Sequence, residues 1–178
     1  MAAKNVGKIK CFSQVHIINP DGTLAGDSGV TGPNMITNLG IQQYLCRGIC
    51  GTLAALSATN VQYMALGSTD ATANASNCMP ASNATGFVCE ITDHNTLRHS
   101  ITSAAFSSRT DSTKSATLFI YGTFATTDSF LTDAGAVLGG VALCCSASGG
   151  QIFCGNTFAG SACASNQAVN VTYQIQLG

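Results

Sequence analysis

Alternating apolar and polar residues mark both ends of the chain as β-strands. Between residues 8 and 18, and again between residues 169 and 177, nearly every second position is apolar. The apolar positions that follow this period are Ile9, Cys11, Val15, Ile17, Val169, Val171, Tyr173, Ile175 and Leu177. Successive side chains of a strand point to opposite faces, so this period of two predicts strands with one buried and one solvated face.

The first of these strands is predicted to begin a hairpin. Residues 19–22, Asn-Pro-Asp-Gly, form a turn sequence, because proline presets one backbone dihedral and glycine tolerates a positive φ. A short second strand is predicted at residues 23–25, followed by a glycine-rich loop at 26–33. We therefore expect residues 1–33 to form an N-terminal hairpin or arm, and residues 34–178 to form one β-sandwich domain.

One segment departs from the alternation. Apolar residues between positions 36 and 49 fall close to helical spacing, which predicts one short helix that Asn34 or Thr37 caps and Gly51 ends. Residues 68–85 are rich in Ala, Ser, Thr and Asn without any period, and predict a long surface loop. Further strands are predicted at residues 61–66, 97–105, 115–124, 136–145 and 151–158. Seven or eight short strands indicate an all-β fold, an antiparallel two-sheet sandwich or jelly roll.

The chain is unusually poor in charge. Only 8% of its 178 residues are charged, against roughly 25% in an average soluble domain. A surface of Ser, Thr, Asn, Gln and Gly repels copies of itself little, which favours an assembling protein. The net charge of −1 and the scattered basic residues argue against nucleic acid as a partner. No apolar run approaches the roughly 20 residues that span a bilayer, so no membrane partner is expected. The first residues lack the apolar stretch of a signal peptide, so we expect synthesis in a cytosol.

Nine cysteines are many for such a chain. They are compatible with a disulfide framework, with small buried hydrophobic side chains, or with bridges that form only after release from the cell. Cys46 and Cys50 lie about one helical turn apart, a weak indication of zinc without a second pair. The adjacent Cys144 and Cys145 would point to opposite faces of a strand. The residues predicted as disulfide or thiol candidates are Cys46, Cys50, Cys144, Cys145, Cys154 and Cys163.

No catalytic, cofactor-binding or metal-binding residue is predicted. The segment Gly26-Asp27-Ser28-Gly29-Val30 is close to the GDSGG sequence around the nucleophile of trypsin-like proteases. In those enzymes, however, the histidine and aspartate partners lie well before the serine, and only 27 residues precede Ser28 here. A glycine-rich turn is the better interpretation. His94 and His99, near Cys89 and Glu90, match no metal-ligand spacing. We therefore expect a protein that is not an enzyme and has no cofactor.

Several short motifs occur in an order that resembles a pattern in small virion proteins of tailed bacteriophages. The pieces are Asn34-Met35-Ile36-Thr37-Asn38-Leu39-Gly40, Tyr63-Met64-Ala65-Leu66-Gly67-Ser68, Glu90-Ile91, Arg98, Gly122-Thr123-Phe124, residues 132–137 and the final strand. Asp133 stands where these proteins usually have Glu, and the many cysteines lie outside the pattern. The resemblance implies a β-sandwich virion component, either a capsid decoration or cement protein or a tail or fibre module. It carries over no catalytic residue.

The leading hypothesis is a virion structural protein, assembled in the host cytoplasm, that binds the major capsid or tail protein and copies of itself as a homo-oligomer. The residues predicted to form its assembly arm are Lys8, Ile9, Phe12, Val15 and Ile17. The alternative is a tail or fibre module that binds a host receptor or glycan through the loop at residues 68–85. An enzyme that acts through Ser28 or an acidic pair is the third hypothesis.

Overall fold

Ten β-strands make up most of the described chain. The computed structural model describes residues 9–36, 40, 61–68, 90–91, 98–106, 116–128, 136–147 and 152–177. The strands are β1 (Ile9–Ile18), β2 (Leu24–Asp27), β3 (Thr31–Ile36), β4 (Tyr63–Ser68), β5 (His99–Ser100), β6 (Ser103–Phe106), β7 (Ala116–Phe124), β8 (Ala136–Cys144), β9 (Ile152–Cys163) and β10 (Ala168–Leu177). A 3-10 turn, Thr126–Asp128, follows β7. The predicted all-β fold is confirmed.

The strands form two antiparallel sheets. Sheet A has the order β3-β1-β10-β7-β6, with β2 beside β3 on the same edge of β1. Sheet B has the order β5-β4-β8-β9-β3. This arrangement confirms the predicted two-sheet sandwich. Its longest pairings, β1 with β10 and β10 with β7, join segments far apart in sequence.

Two segments pass from one sheet to the other and so connect the layers. In β3, Thr31 and Asn34 pair with β1 in sheet A, whereas Met35 and Ile36 pair with β9 in sheet B. On the opposite side of the sandwich, β5 pairs with β4 in sheet B and the following β6 pairs with β7 in sheet A. Strands that switch sheets form the corners of such sandwiches.

The main core lies between the two sheets. Alternate residues of β1 and β10 face it, among them Val15, Val171 and Tyr173, each at most 2% exposed. The hydroxyl of Tyr173 in sheet A donates a hydrogen bond of 2.8 Å to the backbone oxygen of Val141 in sheet B. A polar contact therefore joins the two layers inside an apolar core.

The two sheets differ in what covers their outer faces. Residues Leu138–Cys144 of β8 are all buried, so this strand is enclosed on both faces. A second cluster on the outer side of sheet B contains Ala65, Ala142, Cys144 and Ile152, all fully buried. The outer face of sheet A, in contrast, contains exposed and half-buried side chains. Solvent therefore reaches sheet A from one side.

The structure corrects two of the sequence predictions and does not describe two others. β1 is an integral strand between β3 and β10, with Cys11, Val15 and Ile17 in the core, so it does not stand apart as an arm. Residues 26–33, expected as a loop, contain the end of β2 and the start of β3, because both pair with β1. The predicted helix at 36–49 lies outside the described residues, apart from Ile36, which ends β3, and Gly40. The loop predicted at 68–85 also lies outside them beyond Ser68.

Candidate functional site

The outer face of sheet A presents cross-strand rows of side chains. One row contains Phe12 of β1, Gln174 of β10 and Phe119 of β7, which are paired in register. These side chains face outward because their neighbours along each strand are buried in the core. Since the register of three strands places them together, residues more than a hundred positions apart share one surface.

The next row brings a second aromatic ring beside the first. It consists of Gln14, Thr172 and Tyr121, again from β1, β10 and β7. The rings of Phe119 and Tyr121 are stacked almost in parallel, with centroids 6.4 Å apart and an interplanar angle of 9°. Tyr121 is 38% exposed, which makes it one of the most exposed large hydrophobic side chains described. The two rows thus combine aromatic rings with amide and hydroxyl groups.

Asp27 lies at one corner of this face, beside Gln14 and His16. Its carboxylate accepts hydrogen bonds from Gln14 Nε2 at 3.0 and 3.2 Å and from the Gly29 amide at 2.8 Å. His16 Nε2 lies 3.3 Å from Asp27 Oδ1. The hydrogen bond from Gln14 lowers the pKa of Asp27, and the Gly29 amide and His16 lower it further. The carboxylate therefore acts as an acceptor that fixes the loop between β2 and β3.

Ser28 has a structural environment rather than that of a nucleophile. Its hydroxyl accepts a hydrogen bond of 2.9 Å from the backbone amide of Val15 and donates one of 2.8 Å to the carbonyl of Gly29. Both contacts are with backbone groups, and together they attach the loop after β2 to β1. This geometry favours the interpretation as a turn.

The outer edge of β2 is open in the described part of the molecule. Neither this edge nor the second half of β9, on the side away from β8, pairs with any described strand. A narrow crevice lies between them, with Val15, Ile17, Leu138 and Phe158 among its lining residues. At this edge Leu24 is 56% exposed, and Val30 in the following loop is 57% exposed. An edge without a partner among the described strands and exposed aliphatic side chains thus occur together.

A buried ion pair fixes the edge of sheet B. Arg98 Nε and Nη2 donate to the two carboxylate oxygens of Glu90 at 2.8 and 3.1 Å. Arg98 Nη1 also donates to the backbone oxygen of Ser146 at 3.2 Å. Burial alone would lower the pKa of Arg98, but the hydrogen bond to Glu90 and the charge of that carboxylate raise it, so the guanidinium stays charged. The sequence indicated Arg98 only through the family resemblance, and nothing in it predicted that Arg98 pairs with Glu90.

The described cysteines are thiols without disulfide bonds. Cys11, Cys144, Cys154 and Cys163 are buried, and Cys145 is half-buried. Burial raises the pKa of Cys144 to about 12 and that of Cys163 to about 11. Burial also raises the pKa of Cys154 well above its ordinary value. The candidates Cys46 and Cys50 lie outside the described residues.

The residues expected to form an assembly arm are divided between three locations. Val15 and Ile17 are buried in the core, whereas Ile9 is half-buried against it. Phe12 alone of the described members belongs to the rows on the outer face of sheet A. Lys8 lies outside the described residues. Their alternation predicted a strand, but it could not show that β1 is a central strand.

Neither a metal centre nor a membrane span is found in the described ranges. Within them, no three His, Cys, Asp or Glu side chains gather as ligands for a metal ion. No helix of the described chain is long and apolar enough to cross a membrane.

Comparisons with known proteins add no relative. No protein-family model matches the chain, and neither a curated protein nor a solved structure matches it. The fold defines the protein as an all-β two-sheet sandwich.

Proposed function

We propose that the chain is a virion structural protein, and specifically a capsid decoration or cement protein that binds the shell and neighbouring copies of itself. The observation that carries this proposal is the outer edge of β2, which pairs with none of the described strands and has exposed aliphatic side chains. The low charge of the chain supports it, since copies of such a surface approach one another with little repulsion. The order of short motifs that resembles tailed-phage virion proteins supports it as well.

The edge of β2 offers two kinds of contact to a neighbour. Its backbone N–H and C=O groups can extend the sheet into a second chain, as exposed edge strands do. Leu24 and Val30 are each more than half exposed, and complete burial of such a side chain contributes about 1.5–3 kcal/mol. β2 has the sequence Leu-Ala-Gly-Asp, so one charge, that of Asp27, lies on this strand.

Sedimentation velocity of the purified chain tests self-association through this edge. We expect the native chain to form oligomers and Leu24→Asp/Val30→Asp to sediment as a folded monomer. Leu177→Asp is the matched control, because Leu177 is also exposed, at 44%. It pairs with Ile9, whereas Leu24 pairs with Ile18, which puts the two leucines about 30 Å apart along β1. A native chain that is monomeric throughout, or an unaltered double variant, contradicts the proposed contact.

The place in the particle is tested separately. Gold-labelled antibody against the chain is applied to purified particles of the phage that carries its gene, and the label is located by electron microscopy. Regular labelling over the shell supports a decoration protein. Labelling confined to the tail favours the alternative of a tail or fibre module, and unlabelled particles, with the chain also missing by mass spectrometry, reject the virion role.

A further inference from the structure

We propose that the outer face of sheet A is a binding site for neutral glycans, with the rings of Phe119 and Tyr121 at its centre. The site extends the proposed virion role by giving a particle a surface that attaches to polysaccharide. It depends on that role only for its biological setting, because the argument for binding comes from the chemistry of the face itself.

The aromatic rings provide the apolar half of the recognition. Phe119 and Tyr121 are stacked with nearly parallel planes and centroids 6.4 Å apart. Phe12 lies in the same row as Phe119 with one strand between them, or about 10 Å away. One face of a sugar ring consists mainly of C–H groups, and such groups pack against the negative face of an aromatic ring. Three rings on one face of a sheet suit several successive sugars of a chain.

The groups between the rings provide the polar half. Gln174 lies between Phe12 and Phe119, and Thr172 lies beside Tyr121. Both side chains are half-buried, and neither is involved in a hydrogen bond with another described side chain. An amide and a hydroxyl each donate and accept, and this capacity matches that of sugar hydroxyls. An apolar protein surface laid over the same rows would bury these groups without partners, which is costly.

The charge of the face selects neutral ligands. The two rows that contain the rings have no ionisable group except the Tyr121 phenol. Lys10 lies in the row beyond Phe12, and His16 in the row beyond Gln14. Asp27 lies against His16 and also accepts hydrogen bonds from Gln14, at the edge of the face. A face without a basic cluster does not attract sulfated, carboxylated or phosphorylated polymers. A neutral oligosaccharide or polysaccharide is therefore the ligand class that fits both the rings and the amides.

Nuclear magnetic resonance of the full chain with defined sugars tests the site. The probes are oligosaccharides of glucose, mannose, galactose and N-acetylglucosamine at millimolar concentration, with heparin and polygalacturonate as charged comparisons. We expect at least one neutral probe to shift the side-chain amide signals of Gln174. In Phe119→Ala/Tyr121→Ala the affinity for that probe should fall at least tenfold. Leu177→Ala, an exposed change outside both the rows and the edge of β2, should leave the affinity unaltered.

The controls separate this site from the other roles. Circular dichroism and thermal melting establish that the ring variant is folded; if it is not, Gln174→Ala tests the same row. The proposal is overturned if no neutral probe binds, if only the acidic polymers bind, or if the ring variant binds as the native chain does. If the ring variant were monomeric where the native chain is oligomeric, the face would instead be a subunit interface, and the proposal would be overturned. None of these outcomes affects the antibody labelling of particles, so failure of the glycan site and of the virion role are distinguishable.

Discussion

Arg98 and Glu90 form a buried, two-point ion pair that joins two parts of one sheet edge. Their side chains are 1% and 10% exposed. Glu90 bridges to Gly67 of β4, and His99, which follows Arg98, pairs with Met64 of the same strand. The pair therefore joins two backbone segments that lie along β4, and the further bond to Ser146 attaches them to the end of β8.

Removal of the arginine is expected to destabilise the protein strongly. In Arg98→Met the carboxylate of Glu90 would stay buried without its cation, and loss of one partner of a buried pair costs about 3–5 kcal/mol. Arg98→Met/Glu90→Met removes both charges and should recover much of this loss. Urea denaturation measures the free energy of unfolding of each variant. A loss below about 1 kcal/mol in the single variant would show that the pair is not buried as described.

Tyr173 is expected to stabilise the contact between the two sheets through its hydroxyl. In Tyr173→Phe the backbone oxygen of Val141 loses its buried donor, at a cost of about 1–3 kcal/mol. Tyr121→Phe removes a hydroxyl from the solvent side and should change stability by less than about 0.5 kcal/mol. Thermal and urea unfolding compare the two. Burial also raises the pKa of Tyr173 well above its ordinary value, so in an alkaline absorbance titration this phenol should ionise only when the chain unfolds.

Gly32 is expected to tolerate no side chain. Its φ is +147°, and a Cβ built there would lie 2.8 Å from the backbone oxygen of Cys11 and 2.7 Å from a ring carbon of Phe12. Gly32→Ala should therefore cost about 3 kcal/mol or more, from backbone strain and steric overlap together. Gly22→Ala is the matched control: its φ is +83°, but nothing lies within 4 Å of a Cβ, so about 1–2 kcal/mol is expected. Denaturant unfolding measures the loss of unfolding free energy in each variant. Equal losses in Gly32→Ala and Gly22→Ala would refute the steric overlap at Gly32.

The stability of the protein at acid pH is expected to depend in part on the ionisation of Asp27. Its pKa in the folded chain lies below the ordinary value of 3.8, chiefly because Gln14 donates to it. Ionised Asp27 therefore contributes stability that is complete above that ordinary value and is lost as the pH falls through the lowered pKa. Carbon-detected nuclear magnetic resonance of the carboxyl group measures the titration. Gln14→Ala should move the pKa back toward 3.8, and an unchanged titration in this variant would exclude Gln14 as the main cause.

The buried thiols are expected to be unreactive in the folded chain. Burial raises the pKa of Cys144 to about 12 and that of Cys163 to about 11, so little thiolate exists at pH 8. Because alkylating reagents attack the thiolate, both residues should be modified only after denaturation. Iodoacetamide labelling followed by peptide mass spectrometry assigns the modified positions. Rapid labelling of Cys144 in the native chain would contradict its enclosed position in β8.

The sequence predicted the all-β fold because several strands have one buried and one solvated face. In β1 and β10 this contrast appears in the sequence as alternating apolar and polar residues. β8 lacks it, since residues 138–144 are buried on both faces, and only its apolar content marked it as a strand. Alternation also could not show whether β1 was a peripheral arm or a central strand. That distinction depends on which strands lie beside it, and β10 is about 160 residues away.

The candidate surfaces could not be predicted from the sequence, because they also depend on which strands lie side by side. Phe12, Gln174 and Phe119 share a row only because the register of β1, β10 and β7 brings them together. No local pattern contains that register. The corner at β3 is similar: its two halves pair with different sheets, so a six-residue segment that contains Gly32 and Pro33 was predicted in part as loop.

The unequal coverage of the two sheets gives the molecule a front and a back. β8 in the middle of sheet B is enclosed on both sides, whereas sheet A carries its rings and amides on a solvated side. Copies laid down in a common orientation would therefore repeat one pattern of aromatic and amide groups across a layer, at the spacing of the subunits. Weak individual contacts made by such a layer would add up through multivalency, so a lattice of these chains could adhere firmly where one chain holds only briefly.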